Sequence, residues 1–201
     1  MKYISFILLL VVAAVLVWTP ASAQKQAVKL EQPVLLSSCG QSPGPLKIKV
    51  FFGKLGIDYV YNLQASANDL VAKKKEGKPF KSLIVVVGAS LKGMGAAKVS
   101  IEDEIDRTKK LIAEARKQGI KVVGSHVEGM ERRAQGAAPG DNSDEQSIDA
   151  VCPQSDLMLV RKDGDEDKRF TTISTGKKIP LVMFEKNMEL SEVLKNLYQQ
   201  K

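Results

Sequence analysis

The chain has 201 residues, 44% of them hydrophobic and 26% charged, enough for one domain with a full core and unlike a disordered or fibrous composition. Thirty Lys and Arg against 23 Asp and Glu give a formal charge of +7. The positive residues are scattered and aromatics make up only 5%, which argues against a nucleic-acid surface and leaves a mild bias toward small anions or anionic surfaces.

The N-terminus reads as a targeting segment. Lys2 precedes an apolar run from Ile4 to Trp18, and Ala21-Ser22-Ala23 has the small residues of a cleavage site. The run is short for a membrane span of about 20 residues. Residues 1–23 are therefore expected to be removed, 24–32 to form a polar tether, and 33–201 to make a single domain that is exported to the periplasm or the exterior with no stable membrane span. Cys39 and Cys152 could bridge in such a compartment, but the expected topology puts one at the top of a strand and the other below the start of another, which disfavours it. No C-x-x-C pair marks a zinc or redox site.

From Pro33, Val34-Leu35-Leu36 starts a first strand, ending in the small polar loop Ser37-Ser38-Cys39-Gly40-Gln41-Ser42. Pro43-Gly44-Pro45 opens a helix whose core face is expected at Leu46, Val50 and Phe51, with Gly56 as its stop. Asp58 to Tyr61 makes a second strand. Ser66 and Asp69 resemble a capping box ahead of a short helix ending in Lys73-Lys74-Lys75-Glu76-Gly77.

Leu83 to Val87 has no polar alternation and reads as a strand buried on both faces, hence part of a parallel sheet. The loop Gly88-Ala89-Ser90-Leu91-Lys92-Gly93-Met94-Gly95 follows it. Ser100 caps the best helix in the chain, with Ile101, Ile105, Ile112 and Ala115 on one face and Gly119 at its end. Ile120 to Ser125 is a fourth strand, leading into His126-Val127-Glu128-Gly129-Met130-Glu131-Arg132-Arg133. Residues 134–143 form a loose polar loop, Asp144 to Val151 a short helix and Asp156 to Val160 a fifth strand. Arg161 to Arg169 is a charged turn. Phe170 to Thr175 fits a strand or a crossover helix, Pro180 to Phe184 a last strand, and Leu190, Val193, Leu194 and Leu197 a closing amphipathic helix.

This alternation predicts a three-layer, doubly wound and mainly parallel α/β sheet of five or six strands, flavodoxin-like or Rossmann-like. Right-handed crossovers bring the loops 37–42, 88–97 and 125–133 to one edge. The 88–95 glycines look like the nucleotide loop of short-chain dehydrogenases. However, they follow the third strand rather than the first, and no Tyr-x-x-x-Lys pair is present. No cofactor or metal is predicted. A smaller anion fits better, cradled by Gly88, Ser90, Lys92, Gly93 and Gly95, with Gln41, Ser42, His126 and Arg132 closing the pocket. The alternatives are a hydrolase or transferase using Cys39 as nucleophile and His126 as base, His126 as a metal ligand with Cys39 or Glu128, and an interaction module whose protein partner, not identifiable from the sequence, covers the same edge.

VVVGASLKGMGAA at 85–97, the acidic start Ile101-Glu102-Asp103-Glu104, GIKVVGSHVEGMERR at 119–133 and Pro153-Gln154-Ser155-Asp156 together resemble a family catalogued as domain of unknown function 6305. The resemblance runs from about Pro33 onward. It implies a small exported α/β domain and supplies neither a reaction nor a ligand.

Overall fold

Ser82–Val87 is the third strand in sequence, and all six of its residues are buried. In this computed structural model, which describes residues 28–133 and 142–199, the strand lies near the centre of one six-stranded sheet. The expected signal peptide and most of the loop expected at 134–143 lie outside the described residues.

The elements run in order: β1 (Val34–Cys39), α1 (Gly44–Leu55), β2 (Tyr59–Tyr61), α2 (Ala67–Lys75), β3 (Ser82–Val87), α3 (Leu91–Ala97), α4 (Ile101–Lys117), β4 (Lys121–His126), α5 (Ser143–Val151), β5 (Leu157–Arg161), α6 (Arg169–Lys177), β6 (Leu181–Phe184) and α7 (Asn187–Tyr198). Short 3-10 turns sit at Met130–Arg132, Cys152–Gln154 and Lys162–Asp165. The strand order is β2-β1-β3-β4-β5-β6 and every neighbouring pair is parallel. This is the flavodoxin-like member of the expected pair of topologies.

Strand residues alternate between two cores. Leu35, Cys39, Leu83, Val85 and Val87 pack with Leu70 of α2, Leu111 and Ile112 of α4, Ile148 of α5 and Phe170 of α6. Leu36, Ile84 and Val86 face the other way, onto Ile48 and Phe52 of α1 and Leu190 and Leu194 of α7. The helices therefore switch faces at β1. A crevice opens at such a reversal, above the carboxyl ends of β1 and β3, and this is where ligands of open α/β sheets bind.

Three expectations are corrected and one open alternative is resolved. Ser37-Ser38-Cys39 continues β1 instead of forming a loop, because each residue pairs with β3, from Ser37 with Val85 to Cys39 with Val87. The core face of α1 is Ile48 and Phe52; Leu46 and Val50 are about half exposed. Part of the glycine loop is helical: α3 is capped by Ser90, whose Oγ accepts from the Gly93 N–H at 3.1 Å. Phe170 to Thr175 belongs to α6, whose first turn is held by Asp165 Oδ1 accepting from the Phe170 N–H at 2.7 Å.

Candidate functional site

The crevice is built from three loops that follow β1, β3 and β4. Gly40 and Gln41 leave β1 with φ of 99° and 57°, and Gly88 leaves β3 at 135°. Gly40 is obligatory: a Cβ there would stand 2.5 Å from the Gly88 carbonyl oxygen. Gly93 is equally constrained, since a Cβ would meet the Gln41 carbonyl oxygen at 2.3 Å. Its glycine is a packing contact between α3 and the β1 loop. Gly95 is exposed, and a Cβ there would touch nothing within 4 Å.

Backbone donors converge on this edge, as a cradle requires, and the chain's own acceptors meet them. The Gly40 N–H donates to Glu104 Oε2 at 2.9 Å, the Gly44 N–H at the start of α1 to Glu128 Oε2 at 3.1 Å, the Ala89 N–H to Asp144 Oδ1 at 2.6 Å and the Gly88 N–H to Ser147 Oγ at 3.0 Å. Gln41 donates its amide to Glu104 Oε2 at 3.0 Å, and Ser42 is buried with its hydroxyl 3.3 Å from the Gly44 nitrogen. Gln41 and Ser42 therefore shape the crevice from within. Of the nine expected ligand contacts, Ser90, Lys92 and Arg132 keep exposed or half-exposed side chains at this edge. Arg132 is 43% exposed, with its Nε 3.5 Å from Glu128 Oε1.

His126 is fully buried, which takes it out of any open pocket. Its Nε2 lies 3.1 Å from the Gly129 carbonyl and its Nδ1 3.3 Å from the Val87 carbonyl, while the ring stacks on Phe170 at 5.5 Å. A neutral ring carries one N–H, so it donates to one of these two carbonyls. Burial lowers its pKa against the pull of both carbonyls. A base lowered in the native state binds fewer protons there than in the unfolded chain, so stability must fall as the pH drops below about 6.5. We expect urea midpoints at pH 7.5 and 5.5 to differ less for His126→Gln than for the unaltered protein. Equal differences in both would show that His126 does not set this slope.

Cys39 does not meet His126 as a nucleophile. Its thiol is buried in the core, and burial pushes its pKa up to about 12, against a lowering by Thr108. Cys152 is also buried, and both cysteines are free. A buried thiol held well above the usual range is inert. Both ring nitrogens of His126 face backbone carbonyls, of Val87 and Gly129, and among the described residues no group of three or more His, Cys, Asp and Glu is placed to hold a metal ion.

The residues that sequence reasoning missed are carboxylates, Asp144, Glu145 and Glu104 outright and Glu128 in the role it has here. Asp144 and Glu128 flank Arg132; burial raises the Asp144 pKa, against the Ala89 N–H and the Arg132 charge, and Glu128 adds to the rise. Arg133, next to Arg132 in sequence, turns inward: Nε donates to Glu145 Oε1 at 2.9 Å, Nη1 to the Gly164 carbonyl at 2.7 Å and Nη2 to Asp167 Oδ2 at 2.7 Å. It anchors the β4 loop and leaves Arg132 as the outward guanidinium.

A family model described as "Domain of unknown function (DUF6305)" matches residues 31–198. No curated protein matches the sequence significantly. Among solved structures, the chain is similar to the psychrotrophic esterase EstA from Pseudoalteromonas sp., inhibited by monoethylphosphonate, with 9% identity, a TM-score of 0.33, and 76% of this chain and 78% of that one covered. A likeness at that level carries no argument about activity.

Proposed function

The chain belongs to the DUF6305 family, whose description leaves its function open, and we propose, from its N-terminal segment and its sheet edge, that it is an exported protein that binds a small carboxylate or similar anion. One observation carries this reading. Backbone N–H groups at the ends of β1 and β3 and at the start of α1 each already donate to a carboxylate. The edge has the chemistry of a carboxylate site, filled from within.

The exchangeable position is at Arg132. Glu104 is fully buried and held by several donors, whereas the contact of Glu128, also buried, with Arg132 is long and uses one nitrogen of a half-exposed guanidinium. A ligand carboxylate offering two oxygens to the guanidinium fork forms a stronger, planar pair. Ser90 and Lys92, at the start of α3, supply a hydroxyl and an exposed positive charge at the same edge.

A thermal-shift screen of the purified protein against mono-, di- and tricarboxylates, phosphate and sulfate tests this. A ligand at 100 times its dissociation constant adds about 2.7 kcal/mol, a shift of several degrees for a domain of this size. The expected result is a shift with a carboxylate that is lost in Arg132→Ala. No shift from any anion, or one that survives Arg132→Ala, would contradict the assignment. The mass of the protein recovered from the exported fraction should correspond to a chain starting at Gln24.

A further inference from the structure

We propose that the amino edge of the sheet, where the strands begin, docks on an anionic phospholipid bilayer. Basic residues that are scattered in sequence gather there in the fold. The strands are all parallel, so the helices that return between them end at this edge. Lys54, Lys75, Lys117, Lys177 and Lys195 lie exposed in the last turns of α1, α2, α4, α6 and α7. The helix dipole favours a cation at each of those positions. It does not account for Lys29, Lys78, Lys81 and Lys121, which are exposed at the same edge and lie outside the helices. The Lys121 N–H donates to the Lys81 carbonyl at 3.2 Å and the Lys81 N–H to the Pro33 carbonyl at 2.9 Å, which sets these two lysines side by side in the middle of the edge. The exposed acids here are Glu31, Asp58, Glu76 and Asp156; Glu76 pairs with Lys73 at 2.6 Å and Asp156 with Lys121 at 3.6 Å. At the carboxyl edge both signs mingle, with Lys98, Arg132 and Lys186 exposed among Asp103, Glu131 and Glu185.

The point at which the chain enters the domain chooses the occupant. The Leu30 N–H donates to the Leu197 carbonyl at 2.9 Å, near the end of α7, and the Glu31 carbonyl accepts from Ser82 Oγ at 2.8 Å, at the start of β3. Residues 28–33 therefore join the domain at the basic edge. Trp18, the end of the apolar run, precedes Val28 by ten residues, a reach of at most about 35 Å even when fully extended. A leader inserted in a bilayer thus holds this edge, rather than the crevice, against the lipid surface, and Lys25 and Lys29 lie on the connecting stretch. This choice of partner rests on the export reading. Lysines close to anionic headgroups then retain the domain by charge after the leader is removed. Docking by the amino edge turns the Arg132 crevice, at the opposite ends of the strands, towards solvent.

Co-sedimentation of the protein, purified from the exported fraction, with vesicles of phosphatidylcholine and phosphatidylglycerol tests the proposal. The expected result is binding to the mixed vesicles, none to phosphatidylcholine alone, and release at high salt. Lys81→Gln and Lys121→Gln should each weaken partitioning roughly fivefold, and the pair about 25-fold. Lys98→Gln with Lys186→Gln removes the same charge from the carboxyl edge and should leave partitioning unchanged. All four side chains are exposed, so the variants should keep the thermal midpoint of the unaltered protein. No binding to the mixed vesicles, equal binding to neutral ones, or equal losses in the two double variants would overturn the proposal. So would release by glycerol phosphate at the phosphate concentration of the vesicles, or retention on an acidic polysaccharide without binding to lipid. The mass of the exported protein tests the leader separately, so a failure of that reading is distinguishable from a failure of the docking edge.

Discussion

Replacing Arg133 with Met should cost about 3–5 kcal/mol of stability, the range for breaking a buried ion pair from one side. The side chain of Arg133 is 0% exposed, as is that of its partner Glu145. Its guanidinium also serves the Gly164 carbonyl and Asp167 and lies 5.3 Å over the Phe170 ring. Met matches the length but none of the hydrogen bonds. Glu145 keeps an ion pair with Arg169 at 2.7 Å, and Asp167 is 28% exposed and can rehydrate, which places the loss toward the lower end of the range. The adjacent Arg132→Met should change stability by less than about 0.5 kcal/mol, because that side chain is half exposed and its ion pair is long. Urea midpoints of the two variants check the contrast. Equal losses would mean that burial does not separate these neighbours.

Glu104→Ala should be of similar size, about 3–5 kcal/mol. Glu104 is fully buried on α4 and accepts from the Gly40 N–H, from Gln41 Nε2 and from Arg107 Nε and Nη2. Arg107 in turn donates to the Ala65 carbonyl at 2.6 Å and the Ser38 carbonyl at 2.7 Å, tying α4 to the end of β1. Without the carboxylate, a buried N–H and a guanidinium lose their acceptor together. Gln41, a non-glycine residue at φ 57°, also loses a side-chain bond that holds its left-handed backbone. Arg107→Met in the same background should add less than it costs alone, with a coupling of roughly 1–3 kcal/mol. Strict additivity in urea denaturation would show that the two side chains act separately.

The sheet was legible in the sequence because its strands have no solvent face. Leu83 to Val87 could be placed only in a doubly covered sheet, and the glycine-rich end of that strand located the crevice. The phase of α1 was not legible: apolar residues at 46, 48, 50, 51, 52 and 55 allow more than one inward face. Only packing against β1 and α7 selects Ile48 and Phe52. Residues 88–95 suggested an open cradle because Gly93 and Gly95 are poor helix formers, and the Ser90 cap together with the contact on Gln41 overrides that preference.

For α6, the β-branched run Thr171-Thr172-Ile173 left strand and helix undecided. The cap that starts it, Asp165, stands five residues before Phe170, outside any local capping pattern. The buried carboxylates were the largest omission. Glu104 had one readable signal, since it falls in the row Ile101, Glu104, Thr108, Leu111, Ala115 on the inward face of α4. Asp144 and Glu145 had none, because their partners Ala89 and Arg133 come from other loops.

The central claim is that the edge above β1, β3 and β4 exchanges an internal carboxylate for an external one. A backbone amide NMR titration of the purified protein with a small tricarboxylate tests it residue by residue. Saturable shifts are expected at Gly44, Ala89 to Lys92 and Gly129 to Arg132, all abolished by Arg132→Ala. Shifts confined to another face of the molecule, or none at millimolar ligand, would contradict it.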